Sequence, residues 1–159
     1  MSMMIPPSFL SGLDRLCIDA SSMIYHLKTG ILGSLAAEVH LISTPQVIAE
    51  VGWPHLPVTS MALADTPISN DASLLILARR EGVPLLSEDR EILETAGKEG
   101  MEYYNTLMML NYLLLKKRIL PADYPEYLER LKECSRYSQK VLDYGRRVYE
   151  EILSFNSQA

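Results

Sequence analysis

Apolar and polar positions alternate over residues 14–106 in a way that predicts short strands and helices in turn. The stretch 70–91 shows the pattern best, because apolar residues from Leu74 to Ala78 lie at helical spacing and Gly82 stands where that helix ends. A short apolar run at 83–86 follows, and a second helix start comes directly after it. This succession is half of a βαβ unit, so it predicts a parallel sheet.

The same alternation places further elements along the chain. Apolar runs predict other strands at 16–18, 41–43, 58–61 and 101–106. Between the strands, helical spacing and capping signals predict helices; Thr44-Pro45 is one such signal, because Thr caps helices and Pro suits the first helical position. We therefore predict an α/β fold with a central parallel sheet and helices on both faces.

The two ends of the chain differ from this region. Residues 1–13 are rich in Met, Pro and Ser and are predicted to form a leader of low definition. After Thr106 the patterns predict helices alone, including amphipathic helices over 124–131 and 141–152. The apolar stripes of these two helices favour packing, and a homodimer interface is a second interpretation.

Composition limits the class of protein. A chain of 159 residues fits one domain, and 15 Lys and Arg against 20 Asp and Glu give a net charge of −5. The chain therefore lacks the broad basic field that holds nucleic acid nonspecifically, and contact with a polyanion must be local, metal-mediated or supplied by a partner.

Cysteine usage and hydropathy bear on the compartment. Cys17 and Cys134 lie far apart with no CxxC pattern, which favours a reducing compartment and gives no support for a zinc site. The longest apolar run, 107–115, is interrupted by Asn111 and is too short to cross a bilayer. We expect a cytoplasmic protein that does not enter the membrane.

Four carboxylates occupy comparable places in this pattern. Asp19 follows the first strand, Glu50 lies on the helix after the second, Asp71 opens a later helix, and Asp89 follows the strand at 83–86. Open α/β sheets place their sites at the carboxyl ends of the strands, so these side chains are expected to converge. Crowded carboxylates repel one another, and such a cluster is typical of a site for Mg²⁺ or Mn²⁺.

Short motifs around these acids resemble those of the PIN domain family and, more narrowly, of VapC-type toxins from toxin–antitoxin pairs. In chain order the matching segments are Cys17-Ile18-Asp19-Ala20-Ser21, Glu50, Asn70-Asp71-Ala72 and Leu85-Leu86-Ser87-Glu88-Asp89-Arg90. The resemblance covers residues 14–131, leaves 132–159 as a C-terminal helical extension, and implies a PIN-like three-layer α/β/α sandwich.

The resemblance also implies a function. Members of the family are metal-dependent ribonucleases, so it implies an RNA substrate, a product with a 5′-phosphate, Mg²⁺ or Mn²⁺ as cofactor and an antitoxin protein as partner. Carried over position by position, it implies the following site: Asp19, Glu50, Asp71 and Asp89 as catalytic metal ligands, with Ser21 and Ser87 as orienting hydroxyls.

Simpler roles exist for the same residues. An acid at a helix start caps free N–H groups and opposes the helix dipole, which alone would explain Asp19, Asp71 or Asp89. Glu50 taken singly is an ordinary solvated helix residue. The order of all four acids favours the site.

Two other functions stay open at this point. One is a PIN-like interaction module with weak or no catalysis, whose C-terminal helices bind a protein; few basic residues near the site, limited to Arg79, Arg80 and Arg90, favour it. The other is a phosphoacceptor domain, which needs paired acids after the first strand and a Lys after the last. Ile18 before Asp19 does not meet the first requirement.

Overall fold

A five-stranded parallel sheet forms the centre of the chain in a computed structural model that describes residues 4–64 and 68–158. The strands are β1 (Arg15–Ile18), β2 (His40–Ser43), β3 (Thr59–Ser60), β4 (Leu85–Leu86) and β5 (Tyr103–Tyr104), in the spatial order β3-β2-β1-β4-β5. All neighbouring pairs are parallel, with Cys17 of β1 in register with Ile42 of β2 and with Leu85 of β4. The predicted α/β class with a parallel sheet is confirmed.

Helices connect the strands and follow the last one. The helices of the described residues are α1 (Pro7–Ser11), α2 (Ala20–Thr29), α3 (Leu32–Glu38), α4 (Pro45–Val51), α5 (Asn70–Glu81), α6 (Arg90–Lys98), α7 (Thr106–Leu115), α8 (Tyr124–Cys134) and α9 (Gln139–Ser157). The signal at Thr44-Pro45 does start a helix, because Thr44 Oγ1 accepts a hydrogen bond from the Val47 amide at 3.4 Å. Gly82 ends α5 with a φ of 64°, as its position predicted.

The direction of the crossovers places the helices in two outer layers. The chain steps from β1 to β2 to β3 in one direction, then returns across the sheet to β4 and β5. Since parallel crossovers are right-handed, α2, α3 and α4 cover one face and α5 and α6 the other. Helix α7 packs against α2 and α3 and joins the first face. The result is the predicted three-layer sandwich, with its switch in direction between neighbouring strands β1 and β4.

Helix α7 explains the longest apolar run. All of its residues from Thr106 to Leu115 are buried, because the sheet-covering helices lie on one side of it and α8 and α9 on the other. The run is therefore a core helix. In the described ranges we find no helix with the length and apolar character that spanning a membrane requires.

Both ends of the chain contribute to the core. Of the predicted leader, residues 1–3 lie outside the described residues, while Ile5 and Phe9 are buried. The Leu13 amide donates to the Tyr112 hydroxyl at 2.8 Å, which fixes the entry into β1. Helix α8 runs through the boundary expected after residue 131, and the domain boundaries stay a prediction.

Helix α9 lies against α7 at close range. Gly145 has no side chain at this crossing, and the Asn111 Nδ2 donates to its carbonyl oxygen at 3.0 Å. The Tyr124 hydroxyl donates to Asn111 Oδ1 at 2.5 Å, so one buried amide joins α7, α8 and α9. A Cβ at Gly145 would come within 2.9 Å of Leu107 Cγ, which is closer than packed carbon atoms approach.

Gly145→Ala should therefore destabilise the chain by about 1–3 kcal/mol, because the added methyl group overpacks the contact with Leu107. Urea unfolding followed by circular dichroism measures the free energy of unfolding. Gly33→Ala is the matched control: Gly33 lies in helix α3, a Cβ there meets nothing within 4 Å, and the change should be neutral or stabilising by up to about 1 kcal/mol. Equal effects at both positions would contradict the close crossing.

Candidate functional site

Asp19 lies directly after β1 and caps helix α2. Its Oδ1 accepts from the Ser22 amide at 2.7 Å and from the Ser21 hydroxyl at 3.2 Å, while Oδ2 accepts from the Ser87 hydroxyl. The side chain is only 7% exposed, and burial raises the pKa of its carboxyl against the lowering effect of these hydrogen bonds. Asp19 is thus a fixed, nearly buried acid at the carboxyl edge of the sheet.

Asp89 follows β4, the neighbour of β1, and caps helix α6. Its Oδ1 accepts from the Glu91 amide at 2.8 Å and the Ile92 amide at 3.2 Å, whereas its Oδ2 forms no hydrogen bond within the described ranges. The Ser87 hydroxyl accepts from the Asp89 amide at 3.0 Å and donates to Asp19. The Ser87 hydroxyl therefore links the Asp19 carboxylate to the Asp89 backbone, at the point between β1 and β4 where the strand order reverses.

Asp71 lies in the first turn of helix α5 but does not cap it. The cap is Ser69, whose hydroxyl accepts from the amide of Ala72 at 3.1 Å. The pKa of Asp71 is raised, first by partial burial and then by the negative charges of Asp89 and Glu50. Capping does not account for Asp71, and its carboxylate lies within the field of the other acids.

The four predicted carboxylates line one cavity of about 90 Å³ at this edge. Glu50 reaches it from helix α4 and is exposed, as are Asp71 and Asp89. The complete lining is Asp19, Ala20, Ser21, Val47, Glu50, Asn70, Asp71, Leu74, Asp89 and Ile92. Ser21 is part of the lining, whereas Ser87 lies behind Asp19 and acts on it through its hydrogen bond.

The donor set fits a hard divalent cation. It consists of carboxylate oxygens, it forms no ion pair within residues 4–64 and 68–158, and the cavity exceeds the roughly 10–15 Å³ that one water molecule needs. Among these residues, however, no three His, Cys, Asp or Glu side chains stand close enough to surround a metal ion. The four acids line the same cavity but are not close enough together to surround an ion, so metal binding stays a prediction.

Sequence reasoning missed Glu88, which lies between Ser87 and Asp89. Its carboxylate accepts from the Thr106 amide at 3.2 Å, the Thr106 hydroxyl at 3.1 Å, the Ser22 hydroxyl and the Tyr137 hydroxyl. Burial raises the pKa of Glu88, and the hydrogen bonds oppose this shift. Only its place in a turn after a buried strand was visible in the sequence, because Tyr137 is far away along the chain.

His26 lies beneath this cluster in helix α2. Its Nδ1 is 2.7 Å from the Ser22 carbonyl oxygen and 3.2 Å from the Thr106 hydroxyl, whereas Nε2 has no partner within the described residues. Burial lowers the pKa of the imidazole from 6.5 to about 4. The ring is therefore neutral at pH 7 and belongs to the support of the site, not to its surface.

Comparison with known proteins yields a distant likeness. The chain matches no model of a known protein family and no curated protein. It is similar to a solved structure of a PilT N-terminus domain protein, SSO1118, from the hyperthermophilic archaeon Sulfolobus solfataricus P2. The sequence identity is 14%, the TM-score is 0.47, and the alignment covers 79% of this chain and 97% of the other.

Tyr137→Phe should lower the free energy of unfolding by about 1–3 kcal/mol, because the Glu88 carboxylate loses a hydroxyl donor in an enclosed place. Urea unfolding measures the change. Tyr149→Phe is the matched control, since the Tyr149 ring stacks on Tyr124 and its hydroxyl forms no hydrogen bond within the described residues. If both variants lose the same stability, the Glu88 contact does not hold the turn.

The pH dependence of stability should reveal His26. Between pH 6.5 and about 4 the unfolded chain binds a proton at this ring and the folded chain does not, so falling pH removes up to about 3 kcal/mol of stability. His26→Gln cannot titrate and should lose less stability between pH 7 and pH 4.5 in urea unfolding. The exposed His55 provides the control His55→Gln, which should follow the parent. Parallel curves for His26→Gln and the parent would contradict a neutral buried ring.

Proposed function

We propose that this chain is a PIN-type endoribonuclease that uses Mg²⁺ or Mn²⁺. The observation that carries the proposal is the shared cavity of Asp19, Glu50, Asp71 and Asp89 at the point where the strand order reverses, which is where open α/β sheets bind ligands. The choice of RNA as substrate, cut to leave a 5′-phosphate, rests on the resemblance of the sequence motifs.

The residues divide into those that would hold the cation and those that position them. Asp19, Asp71 and Asp89 would hold it, and Glu50 would hold it or orient a water molecule. Ser21 and Ser87 keep the Asp19 carboxylate in place through their hydroxyl groups. When bound, the ion would polarise the phosphodiester and make a water molecule more acidic.

Electrostatics supports a cation at this place. Four carboxylates on one cavity would repel the phosphates of a substrate, and the net charge of the chain is −5. A divalent ion would reverse the local sign of the potential, and it would offset the charges of Asp89 and Glu50, which add to the effect of burial in raising the pKa of Asp71. Without a cation, the carboxylates would repel one another and would keep a phosphate group out of the cavity itself.

The narrower part of the proposal is a toxin of a toxin–antitoxin pair, acting in the cytoplasm as a homodimer and neutralised by an antitoxin protein. Its support is the likeness of the motifs to VapC-type toxins. A small neighbouring reading frame with a DNA-binding head and an Arg-bearing tail would strengthen this part.

A second candidate function is a PIN-like interaction module with weak or no catalysis. One observation favours it: within the described residues, no three of the acids stand close enough to surround an ion. On this proposal Asp19 and Asp89 act as helix caps, Glu50 and Asp71 are solvent-exposed helix residues, and the protein works through a partner.

Asp71→Asn should abolish metal binding and reduce RNA cleavage by at least about 100-fold, because it removes a ligand that has no capping role. Isothermal titration calorimetry with Mn²⁺ measures binding, and cleavage of a labelled RNA in Mn²⁺ measures activity. Asp19→Asn should do the same while keeping the fold, since Asn caps a helix as well as Asp does.

Asp123→Asn is the matched control, because Asp123 is an exposed acid whose side chain makes no capping hydrogen bond. It should bind Mn²⁺ and cleave RNA as the parent does. Cleavage by Asp71→Asn at the rate of the parent would rule out the nuclease proposal. A parent that binds no divalent cation but forms a stable complex with another protein would support the interaction module.

A further inference from the structure

A groove of about 650 Å³ lies between β5, α6 and α9, separate from the carboxylate cavity. Residues from the start of α1 and from α7 complete its lining, including Met108. We propose that this groove binds single-stranded RNA next to the site that would cut it; in naming RNA, the inference rests on the proposed function. The chemistry of the lining, its charge and its position each support this ligand.

Two tyrosine rings give the groove a surface for bases. Tyr103 is 46% exposed and Tyr144 is 38% exposed, although both line the groove with apolar neighbours such as Leu93. A Cβ at Gly97 would lie 3.2 Å from Tyr103 Cε1, so this ring rests against helix α6 with little room to move. Exposed, supported aromatic rings stack on any base, which suits binding without sequence preference.

Two cations of helix α9 give the groove a positive character. Lys140 and Arg147 lie two helical turns apart, both line the groove, and neither forms an ion pair within the described residues. The lining also contains the carboxylate of Glu102, which accepts a hydrogen bond from the Tyr104 hydroxyl at 2.8 Å. Cations therefore outnumber carboxylates here, in a chain whose net charge is −5.

The groove and the carboxylate cavity both border helix α6. Ile92 lines the cavity and the next residue, Leu93, lines the groove. The two sites are therefore on different sides of the first turns of α6, whose diameter with side chains is about 10 Å. Asn105, directly after β5, brings the groove to the carboxyl edge of the sheet, where the cavity also lies.

The contact between Glu88 and Tyr137 fixes this arrangement. Tyr137 stands just before α9, and its hydroxyl donates to the carboxylate in the turn that carries Asp89. The helix that supplies the cations is thus tied to the turn that supplies a predicted ligand. A protein segment could also fill an apolar groove, but two cations that form no ion pair with any described residue, beside exposed rings, favour a phosphodiester strand.

The test measures binding of a fluorescein-labelled oligouridine by anisotropy in EDTA, where a metal-dependent nuclease does not cut. Tyr103→Ala and, independently, Tyr144→Ala should each weaken binding roughly tenfold, whereas Tyr103→Phe, which keeps the ring, should bind as the parent does. The double variant Lys140→Gln/Arg147→Gln should reduce the slope of log K against log salt concentration by about 1.4, because two phosphate contacts are lost.

Matched controls lie outside the groove. Phe155→Ala removes another exposed aromatic ring of α9, and Lys28→Gln/Lys117→Gln removes two exposed cations that do not line the groove. Both should leave RNA binding unchanged. Thermal unfolding by circular dichroism confirms that each variant is folded.

The outcomes distinguish a failure of the groove proposal from a failure of the nuclease proposal. If the parent cleaves RNA but groove and control variants bind it equally, the groove proposal is wrong and the nuclease proposal stands. If the groove variants lose RNA binding and the parent cuts no RNA in Mn²⁺, the groove proposal stands and the nuclease proposal is wrong. If the parent binds no RNA in EDTA, the inference is overturned, whether or not a protein is found to occupy the groove.

Discussion

Repulsion among like charges at one edge of the sheet is the constraint on which the site depends. The helix caps of Asp19 and Asp89 hold two acids at neighbouring strand ends, and the Ser87 hydroxyl joins them. The folded chain therefore keeps its carboxylates near one another although the charges favour separation. Partial burial is the main cause of the raised pKa of Asp71, and the negative charges of Asp89 and Glu50 raise it further, as expected from this conflict. Unfavourable arrangements that a fold maintains are concentrated at functional sites.

Capping and ligand binding use different parts of the same side chain. Asp89 caps through Oδ1 and leaves Oδ2 without a hydrogen bond inside the described residues, so the cap orients the carboxylate without occupying it. Asp19 is bound more completely, because its Oδ1 accepts two hydrogen bonds, but its Oδ2 accepts one and keeps a second lone pair. The capping interpretation of these acids is thus correct as local structure and compatible with a site. Asp71, which has no capping role, is the residue that separates the two interpretations.

Local signals in the sequence predicted the parallel sheet, the helix ends and the grouping of the four acids. Gly82 is an example, because a left-handed residue after an apolar helix can be recognised from its neighbours alone. The contacts that escaped prediction join distant segments: Glu88 with Tyr137, Gly145 with Leu107, and the first residues with the core. They depend on how finished elements pack, and a single sequence has no periodic pattern that encodes such packing.

The C-terminal helices pack on the core, and their charges also determine which ligands can bind beside them. A polyanion can approach an acidic chain only where cations locally outnumber carboxylates or where a metal ion changes the sign of the potential. Lys140 and Arg147 satisfy the first condition beside α6, and the carboxylate cavity on its other side is suited to the second. The Tyr137 hydroxyl, just before α9, donates to Glu88 and so joins the helix that supplies the cations to the turn that carries Asp89. On the proposal that the groove binds RNA, helix α9 would act with the edge of the sheet as one binding surface for the substrate.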